Sequence, residues 1–301
     1  MERLADLTTE SRSPYTDLDT RSIPEILSII SQEDARVPAA VAQELPQIAR
    51  AVELIVSRLA KGGRLFYVGA GTSGRLGMLD AAECPPTFGV PTDMVQGVIA
   101  GGQAALVSSI EAVEDSQEVG ASDLAARGCS QTDAVVAIAA SGRTPYCLGA
   151  LRYAASVGAA RIALVCNTDS LMSAEAEVTI APVVGPEVIM GSTRMKAGTA
   201  QKLVLNMLST ASMIRLGKVY GNLMVDLTPT NSKLICRARR IVELATGADA
   251  STTSEALQAS GYDVKAAIVM ILANCPFQTA RELLSAADGR VRTAIQMAQE
   301  S

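Results

Sequence analysis

The sequence predicts an α/β fold, in which helices sandwich a parallel β-sheet and a smaller helical domain follows. Two observations support this prediction. Short, continuously apolar segments alternate with helical stretches between residues 64 and 216, which is typical of parallel strands covered on both faces. Apolar residues make up 49% of the chain, which has no Trp and only three Phe, so we expect a core of aliphatic side chains.

The elements follow in order along the chain. Residues 1–45 are polar and contain three prolines, and we expect an extended or partly helical arm there. From Pro46 to Gly62 the apolar positions have helical spacing. Strands and helices then alternate. The predicted strands are 64–68, 94–100, 134–140, 161–167 and 178–183, and the predicted helices lie near 75–83, 104–126, 145–157 and 199–216.

Beyond Pro229 the pattern changes to helices alone. We expect three to five helices over 232–301, with Thr252 and Glu255 forming a capping box and Asp263 capping a later helix. The predicted domains are therefore an N-terminal arm (1–45), an α/β domain (46–228) and a helical domain (229–301).

Composition excludes several functional classes. The net charge of −5, without any run of Lys or Arg, argues against a nucleic-acid partner. Six scattered cysteines without a C-x-x-C pair favour reduced thiols over disulfides or zinc. The N-terminus is polar and no apolar stretch approaches the length of a membrane span, so we expect a soluble cytoplasmic protein. Because the chain has no histidine, acid–base chemistry falls to carboxylates, Lys, Tyr or Cys.

Three glycine loops rich in hydroxyl groups follow predicted strands. Their candidate ligands for a phosphate group are Gly71, Thr72 and Ser73 in the first loop, Ser141 and Thr144 in the second, and Ser192 and Lys196 in the third. The carboxyl ends of parallel strands lie at one edge of a sheet, so these groups can surround one phosphate. A helix beginning near Gly74 would add its N-terminus to the same site.

The first loop also satisfies the G-x-G-x-x-G pattern of dinucleotide-binding folds. Dinucleotide binding requires an acidic residue at the end of the second strand, whereas Asp93 lies before this strand. A nicotinamide or flavin cofactor is therefore not favoured.

Two carboxylates are candidates for proton transfer. Glu83 precedes Cys84-Pro85-Pro86, which we expect to end the helix after the first loop. At a helix C-terminus, and partly buried, its protonated form would be favoured, which suits a general acid. Glu114 lies in a segment expected to be helical, where spacing alone does not distinguish it from Glu111 or Asp115.

Four segments resemble the N-acetylmuramic acid 6-phosphate etherase family, and the similarity extends over essentially the whole chain. These segments are 69–89, 140–146, 191–202 and 221–226. The resemblance implies a sugar isomerase (SIS) fold with a five-stranded parallel sheet, and a C-terminal domain similar to ubiquitin-associated modules. Glucokinase regulatory protein, which has two such sugar-phosphate modules, is similar in this region, so the single module here implies a homodimer with shared active sites. Met190 departs from the family pattern, in which a small residue is expected.

The resemblance also implies a reaction. Members of the family cleave the lactyl ether of N-acetylmuramic acid 6-phosphate to give N-acetylglucosamine 6-phosphate and D-lactate, without a metal or other cofactor. By motif, Glu83 matches the family's acid and Glu114 its second acid–base residue.

Three alternatives stay open at this stage. A phosphosugar isomerase of the same fold would often use a histidine, which this chain lacks. A sugar-phosphate sensor would bind without turnover, and a nucleotide-dependent oxidoreductase is favoured only by the glycine pattern.

Overall fold

The computed structural model describes residues 7–108, 110, 113–227 and 231–300. The chain divides into two compact units. The first unit extends through Ala82 and resumes over Asp93–Ser209, and the second contains Glu83–Thr92 and the chain from Thr210 onward. The domain limits expected at 45/46 and 228/229 stay predictions, and the second of them lies outside the described residues.

A five-stranded parallel sheet forms the centre of the first unit. Its order is β2-β1-β3-β4-β5, and every neighbouring pair runs parallel. Each predicted strand overlaps an observed one, which confirms the parallel sheet. The strands are β1 (Leu65–Gly69), β2 (Val95–Ile99), β3 (Ala134–Ile138), β4 (Ala160–Leu164) and β5 (Val178–Ile180).

Helices cover both faces of this sheet. Phe66 of β1 packs in a core cluster with Leu124 and Leu151 from the helices on one face, whereas the adjacent Tyr67 points to the opposite face and contacts the helix at Gly77. The helices are α1 (Ile23–Asp34), α2 (Val37–Gln43), α3 (Leu45–Leu59), α4 (Gly71–Phe88), α5 (Gln117–Ala125), α6 (Pro145–Ser156), α7 (Leu171–Glu175) and α8 (Lys196–Arg215), with 3-10 helices at Thr8–Glu10, Leu18–Thr20 and Gly102–Leu106.

The predicted end of α4 is wrong. The helix does not stop at Glu83 but continues through Pro85 and Pro86 to Phe88. Both prolines lie in the last turn, where their fixed φ is compatible with a helix and only two N–H bonds are lost. The N–H of Gly89 donates to the carbonyl of Pro85 (2.9 Å) and completes that turn.

The single helix predicted over 104–126 is also wrong. A 3-10 helix, Gly102–Leu106, is followed by a turn at 113–115, and α5 begins only at Gln117. The hydroxyl of Ser116 accepts a hydrogen bond from the N–H of Val119 and caps α5, which fixes this later start. Glu114 therefore lies in a turn and not in a helix, and Glu111 lies outside the described residues.

The second unit contains a short antiparallel pair, β6 (Val219–Tyr220) and β7 (Leu223–Met224), and five helices within its described part. Asp263 caps one helix as predicted, by accepting from the N–H of Ala266. The capping box at Thr252 is wrong, because Asp249 caps that helix and accepts from the Thr252 N–H. The helices are α9 (Ser232–Thr246), α10 (Ala250–Ala259), α11 (Val264–Leu272), α12 (Phe277–Ala286) and α13 (Val291–Glu300).

Candidate active site

A cavity of about 240 Å³ opens in the first unit at the carboxyl ends of β1 and β3. The chain leaves β1 toward β2 on one side and β3 toward β4 on the other, so this is the switch point at which open parallel sheets bind ligands. The lining residues are Glu10, Ala70, Gly71, Thr72, Ser73, Glu114, Ile138, Ala139, Ala140, Ser141, Thr144 and Thr193. All five residues predicted from the first two loops are therefore brought together.

The first loop is itself the first turn of α4. The helix begins at Gly71, three residues earlier than predicted, so Gly71, Thr72 and Ser73 present backbone N–H groups that have no partner within the helix. A Cβ atom at Gly74 would lie 2.6 Å from the carbonyl oxygen of Gly69. Glycine at position 74 therefore allows the helix to start directly against the end of the strand.

The second loop places another helix N-terminus at the cavity. Pro145 occupies the first turn of α6, where its missing N–H costs no hydrogen bond, and Thr144 is the N-cap residue. The Thr144 hydroxyl does not cap its own helix but donates to the Glu114 carboxylate at 3.4 Å. Two helix N-termini therefore meet at this cavity, and their dipoles favour an anion there.

Ser73 has a buried partner behind the cavity. Its hydroxyl donates to the side-chain oxygen of Gln201 on α8 at 2.9 Å. Gln201 is 1% exposed, and its amide nitrogen has no hydrogen-bond partner among the described residues. The contact between Ser73 and Gln201 was not predicted, because the two residues are separated by 128 positions.

Glu114 is held by the first turn of α6. The backbone N–H of Tyr146 donates to the Glu114 carbonyl at 3.0 Å, and the Thr144 hydroxyl contacts its carboxylate. The helices α5 and α6 pack closely beside this turn, because a Cβ atom at Gly149 would lie 1.9 Å from the carbonyl oxygen of Gln117. The position of Glu114 thus depends on this close packing.

The third loop contributes differently from the prediction. Thr193 lines the cavity, whereas its half-buried neighbour Ser192 is not among the lining residues described. The ammonium group of Lys196 is buried and donates to Glu33 of α1 at 2.6 Å. The structure therefore places Lys196 against the N-terminal arm and not in the cavity.

The same loop also shows why α8 does not present its N-terminus to the cavity. The N–H groups of Lys196 and Ala197, in the first turn of α8, donate to the buried carboxylate of Glu187 at 3.0 and 2.9 Å. A protein carboxylate already occupies this anion-binding position.

Glu83 lies in the part of α4 that belongs to the second unit, and its side chain is exposed. Glu83 is neither at the end of its helix nor buried, so both expectations about its surroundings are wrong. The residues that line the cavity belong to the first unit.

Glu10 is a lining residue that sequence reasoning missed. It is the last residue of the 3-10 helix Thr8–Glu10 in the arm and lines the cavity. Asn167, which follows β4 in the chain, holds this helix in place. The Asn167 side-chain oxygen accepts from the N–H and the hydroxyl of Thr8, both at 2.9 Å, and its nitrogen donates to Thr9 and to the carbonyl of Ala140. No local pattern reveals the contact of Thr8 and Thr9 with Asn167, because these residues are nearly 160 positions apart in the sequence.

The described residues contain no group of three or more Cys, Asp or Glu side chains placed to hold a metal ion. None of their helices combines the length and apolar character that a membrane crossing requires.

Comparison with known proteins gives consistent matches. Residues 47–155 match the family described as glucokinase regulatory protein N-terminal SIS domain, and residues 113–211 match the SIS domain. The chain is 55% identical over 293 residues to the N-acetylmuramic acid 6-phosphate etherase of Pectobacterium atrosepticum, covering 97% of both chains. It is 54% identical over 295 residues to the protein of the same name from Caldanaerobacter subterraneus subsp. tengcongensis, covering 98% of this chain and 96% of the relative.

Among solved structures, the phosphoheptose isomerase of Neisseria gonorrhoeae aligns with a TM-score of 0.49 and 16% identity. The alignment covers 64% of this chain and 98% of that one.

Proposed function

The chain belongs to the N-acetylmuramic acid 6-phosphate etherase family, and from that premise we propose that the cavity at the ends of β1 and β3 binds the sugar phosphate and cleaves its lactyl ether. One observation carries this proposal: two helix N-termini and several hydroxyl groups meet beside the carboxylate of Glu114. An anion site next to a proton-transfer group is what a reacting sugar phosphate requires.

The phosphate group binds without a cation from the cavity wall. The described lining residues include no Lys or Arg. The charge is instead balanced by the N-terminal dipoles of α4 and α6 and by the hydroxyls of Thr72, Ser73, Ser141 and Thr144. Ser192, next to the lining residue Thr193, stays a predicted substrate ligand. For Lys196 we propose a supporting role, in which it holds the arm that closes the cavity.

A dialkyl ether resists direct hydrolysis because its alkoxide leaving group is strongly basic. When the sugar ring opens, C1 becomes an aldehyde, the C2–H bond becomes acidic, and the oxygen on C3 becomes a β-leaving group. Glu114 accepts the C2 proton, which leaves an enolate across C1 and C2, and the C2=C3 double bond then forms as the C3–O bond breaks. A second acid protonates the departing lactate, water adds at C3, and a proton returns to C2. Each positioned proton transfer contributes about 10²–10⁴-fold.

Glu83 is the proposed acid for the lactyl oxygen, and it acts in a homodimer with shared sites. Its carboxylate is exposed, and Glu83 is not among the described residues that line the cavity, so a partner protomer is the proposed source of this group. The family resemblance supports both the residue and the dimer.

Deuterium exchange separates the two carboxylates. In D₂O, Glu114→Gln should lose exchange of the C2 proton together with lactate release. Glu83→Gln should retain exchange and lose lactate release. Asp115→Asn, which removes the exposed neighbouring carboxylate, is the matched control and should keep both activities. Normal C2 exchange by Glu114→Gln would refute its assignment as the base.

Two measurements test the rest of the proposal. A mixture of Glu83→Gln and Glu114→Gln protomers should regain up to about a quarter of the wild-type activity if sites are shared, because random pairing makes half of the dimers mixed and each mixed dimer has one intact site.

In ¹⁸O-water, the label should appear at C3 of N-acetylglucosamine 6-phosphate, and not in lactate. Substrate binding without lactate release from folded wild-type protein would favour a sensor.

We also propose a cytoplasmic location. None of the six cysteines, all of which lie among the described residues, forms a disulfide, and three of the four buried ones have thiols whose pKa is raised by burial, Cys129 to about 11 and Cys147 and Cys166 to about 12. Unpaired thiols are typical of a reducing compartment.

A further inference from the structure

The proposed reaction begins with a step for which neither Glu83 nor Glu114 has been assigned. The pyranose ring must open before C2 becomes acidic, and this opening moves a proton from the C1 hydroxyl to the ring oxygen. With no histidine in the chain, a carboxylate is the natural group for this transfer. Glu114 is already assigned to C2, so a second carboxylate is needed near the same sugar.

Glu10 is a second carboxylate residue in the cavity lining. It is half-buried, and no hydrogen bond or ion pair engages its carboxylate within the described part of the chain. One carboxylate oxygen of Glu10 lies 3.3 Å from the position that a Cβ atom at Gly191 would take, so the group lies beside Gly191. Glu10 reaches the cavity from the arm and Glu114 from the turn before α5, so the two can contact different parts of one sugar.

The fold positions Glu10 through an extended set of contacts. Asn167 joins Thr8 and Thr9 of the arm to the carbonyl of Ala140, which itself lines the cavity. A surface loop would not need a 5%-exposed asparagine with four hydrogen bonds to hold it. The arm is therefore held against the cavity wall immediately before Glu10, the residue that carries the carboxylate.

Resting on the proposed function, we propose that Glu10 opens the pyranose ring of the substrate. One carboxylate oxygen accepts the proton of the C1 hydroxyl, the C1=O bond forms and the C1–O5 bond breaks. The carboxyl group then gives a proton to O5, which becomes the C5 hydroxyl. The carboxylate is regenerated, and no oxidant or other reactant is consumed. The phosphate lies at the helix N-termini, whose dipoles favour an anion.

Exchange between the two anomers of the sugar tests this role directly, because anomers interconvert through the open chain. In Glu114→Gln, which stops the later chemistry, the enzyme should still accelerate exchange between the anomeric protons of N-acetylmuramic acid 6-phosphate, as measured by two-dimensional exchange NMR. In Glu10→Gln/Glu114→Gln this acceleration should fall by about 10²-fold or more. Full acceleration in the double variant would overturn the proposal.

The single variant provides a second readout. Glu10→Gln should slow C2–H exchange and lactate release by the same factor, because ring opening precedes both, while KM changes little. Asp19→Asn, an exposed arm carboxylate, is the matched control and should retain full activity. A Glu10→Gln protein with unchanged Tm and unchanged exchange would refute the role. If instead Glu114→Gln binds substrate without accelerating anomer exchange, Glu10 does not open the ring and the proposal is overturned. The proposed function itself fails only if the folded wild-type protein binds substrate without releasing lactate.

Should Glu10→Gln lose its fold, Glu10→Asp keeps the charge and decides the question. It should restore anomer exchange at a reduced rate, since the shorter side chain displaces the carboxylate. Wild-type kcat in Glu10→Asp would contradict a proton transfer that depends on position.

Discussion

The Ser73 hydroxyl donates its hydrogen bond to the side-chain oxygen of Gln201, with 2.9 Å between the two oxygen atoms. The hydroxyl proton is therefore not available to a phosphate in the cavity. The opposite edge of the Gln201 amide, its nitrogen, is buried and has no partner among the described residues. Turning the amide by 180° exchanges the two atoms. The nitrogen then donates to Ser73, and the serine hydroxyl becomes free to donate to the substrate. Gln201 therefore sets the direction of the Ser73 proton.

We predict that Gln201→Glu weakens substrate binding, because a carboxylate keeps accepting the Ser73 proton. KM should rise about 10- to 100-fold, consistent with the roughly 1.5–3 kcal/mol of a hydrogen bond to a charged group, while kcat changes little. Steady-state kinetics of a double-mutant cycle with Ser73→Ala provides the check. The effect of Gln201→Glu should disappear in the Ser73→Ala background. If the two effects simply add, the glutamine does not act through the serine.

Gly149 is the next test, since it determines how closely α6 approaches α5. A Cβ atom there would meet the Gln117 carbonyl at 1.9 Å, so Gly149→Ala must separate the two helices and shift the turn that carries Glu114. We expect Gly149→Ala to lower stability by about 1–3 kcal/mol and to reduce C2–H exchange more than substrate binding.

Gly198→Ala is the matched control for that change, because its Cβ would make only ordinary contacts, the nearest at 3.5 Å, inside α8. It should gain up to about 1 kcal/mol from helix propensity. Thermal unfolding and D₂O exchange of both variants check the pair of predictions. Equal behaviour of the two alanine variants would show that the close helix contact does not position Glu114.

Several features of this architecture were predictable from sequence, and the reasons are local. The strands can be recognised in the sequence because a strand covered on both faces is apolar along its whole length, as β1 and β3 are. The first two glycine loops were identified because each directly follows a strand. The helix through Pro85 and the turn at Glu114 were mispredicted, because the context around the residues outweighed their propensities.

The parts of the site that were not predicted depend on contacts between residues that are distant in sequence. Gln201 and Ser73 are separated by 128 positions, and Thr8 and Asn167 by 159. Neither pair follows a periodic pattern, and neither residue type is unusual in its local segment. Lys196 was predicted as a phosphate ligand from its place in a loop, yet a carboxylate of the arm binds its ammonium group.

That Lys196–Glu33 pair gives a prediction on stability. Both side chains are almost fully buried, and Glu33 also accepts from the Tyr15 hydroxyl. Lys196→Met should lower the free energy of unfolding by up to about 3–5 kcal/mol, because it removes the buried cation and leaves the exposed guanidinium of Arg36, 3.0 Å away, as the remaining partner of opposite charge. The double variant Lys196→Met/Glu33→Gln should lose less, since it removes both charges. Urea unfolding at neutral pH measures the difference, and a larger loss in the double variant would contradict the account.

The same pair predicts a dependence on pH. Burial by itself would raise the pKa of Glu33, but hydrogen bonds from Lys196 and Tyr15 outweigh it and hold the pKa below its usual value of 4.5. A carboxylate with a depressed pKa stabilises the folded state above its unfolded pKa, and this contribution is lost as the pH falls through the folded pKa. The stability difference between wild type and Glu33→Gln should therefore be constant near neutral pH and shrink below about pH 4.5. A difference that grows on acidification would refute this sign.

Asn167 allows the role of the arm to be separated from the chemistry of Glu10. Its side chain fixes Thr8 and Thr9 and donates to the carbonyl of the lining residue Ala140, but it is not itself among the described residues that line the cavity. An effect of Asn167→Ala on turnover therefore passes through the arm or through Ala140. We expect Asn167→Ala to reduce anomer exchange and lactate release together, by about 10-fold or more. Amide hydrogen exchange over residues 7–20 should become faster.

The matched variant for this test is Asn167→Asp, which keeps the oxygen that accepts from Thr8 and loses the donor to Thr9 and to Ala140. Its protection and its activity should both lie between those of wild type and Asn167→Ala, because the arm then retains two of its hydrogen bonds. If the arm exchanges faster in both variants while turnover stays at the wild-type level, the position of the arm does not matter for catalysis, and Glu10 does not act from it.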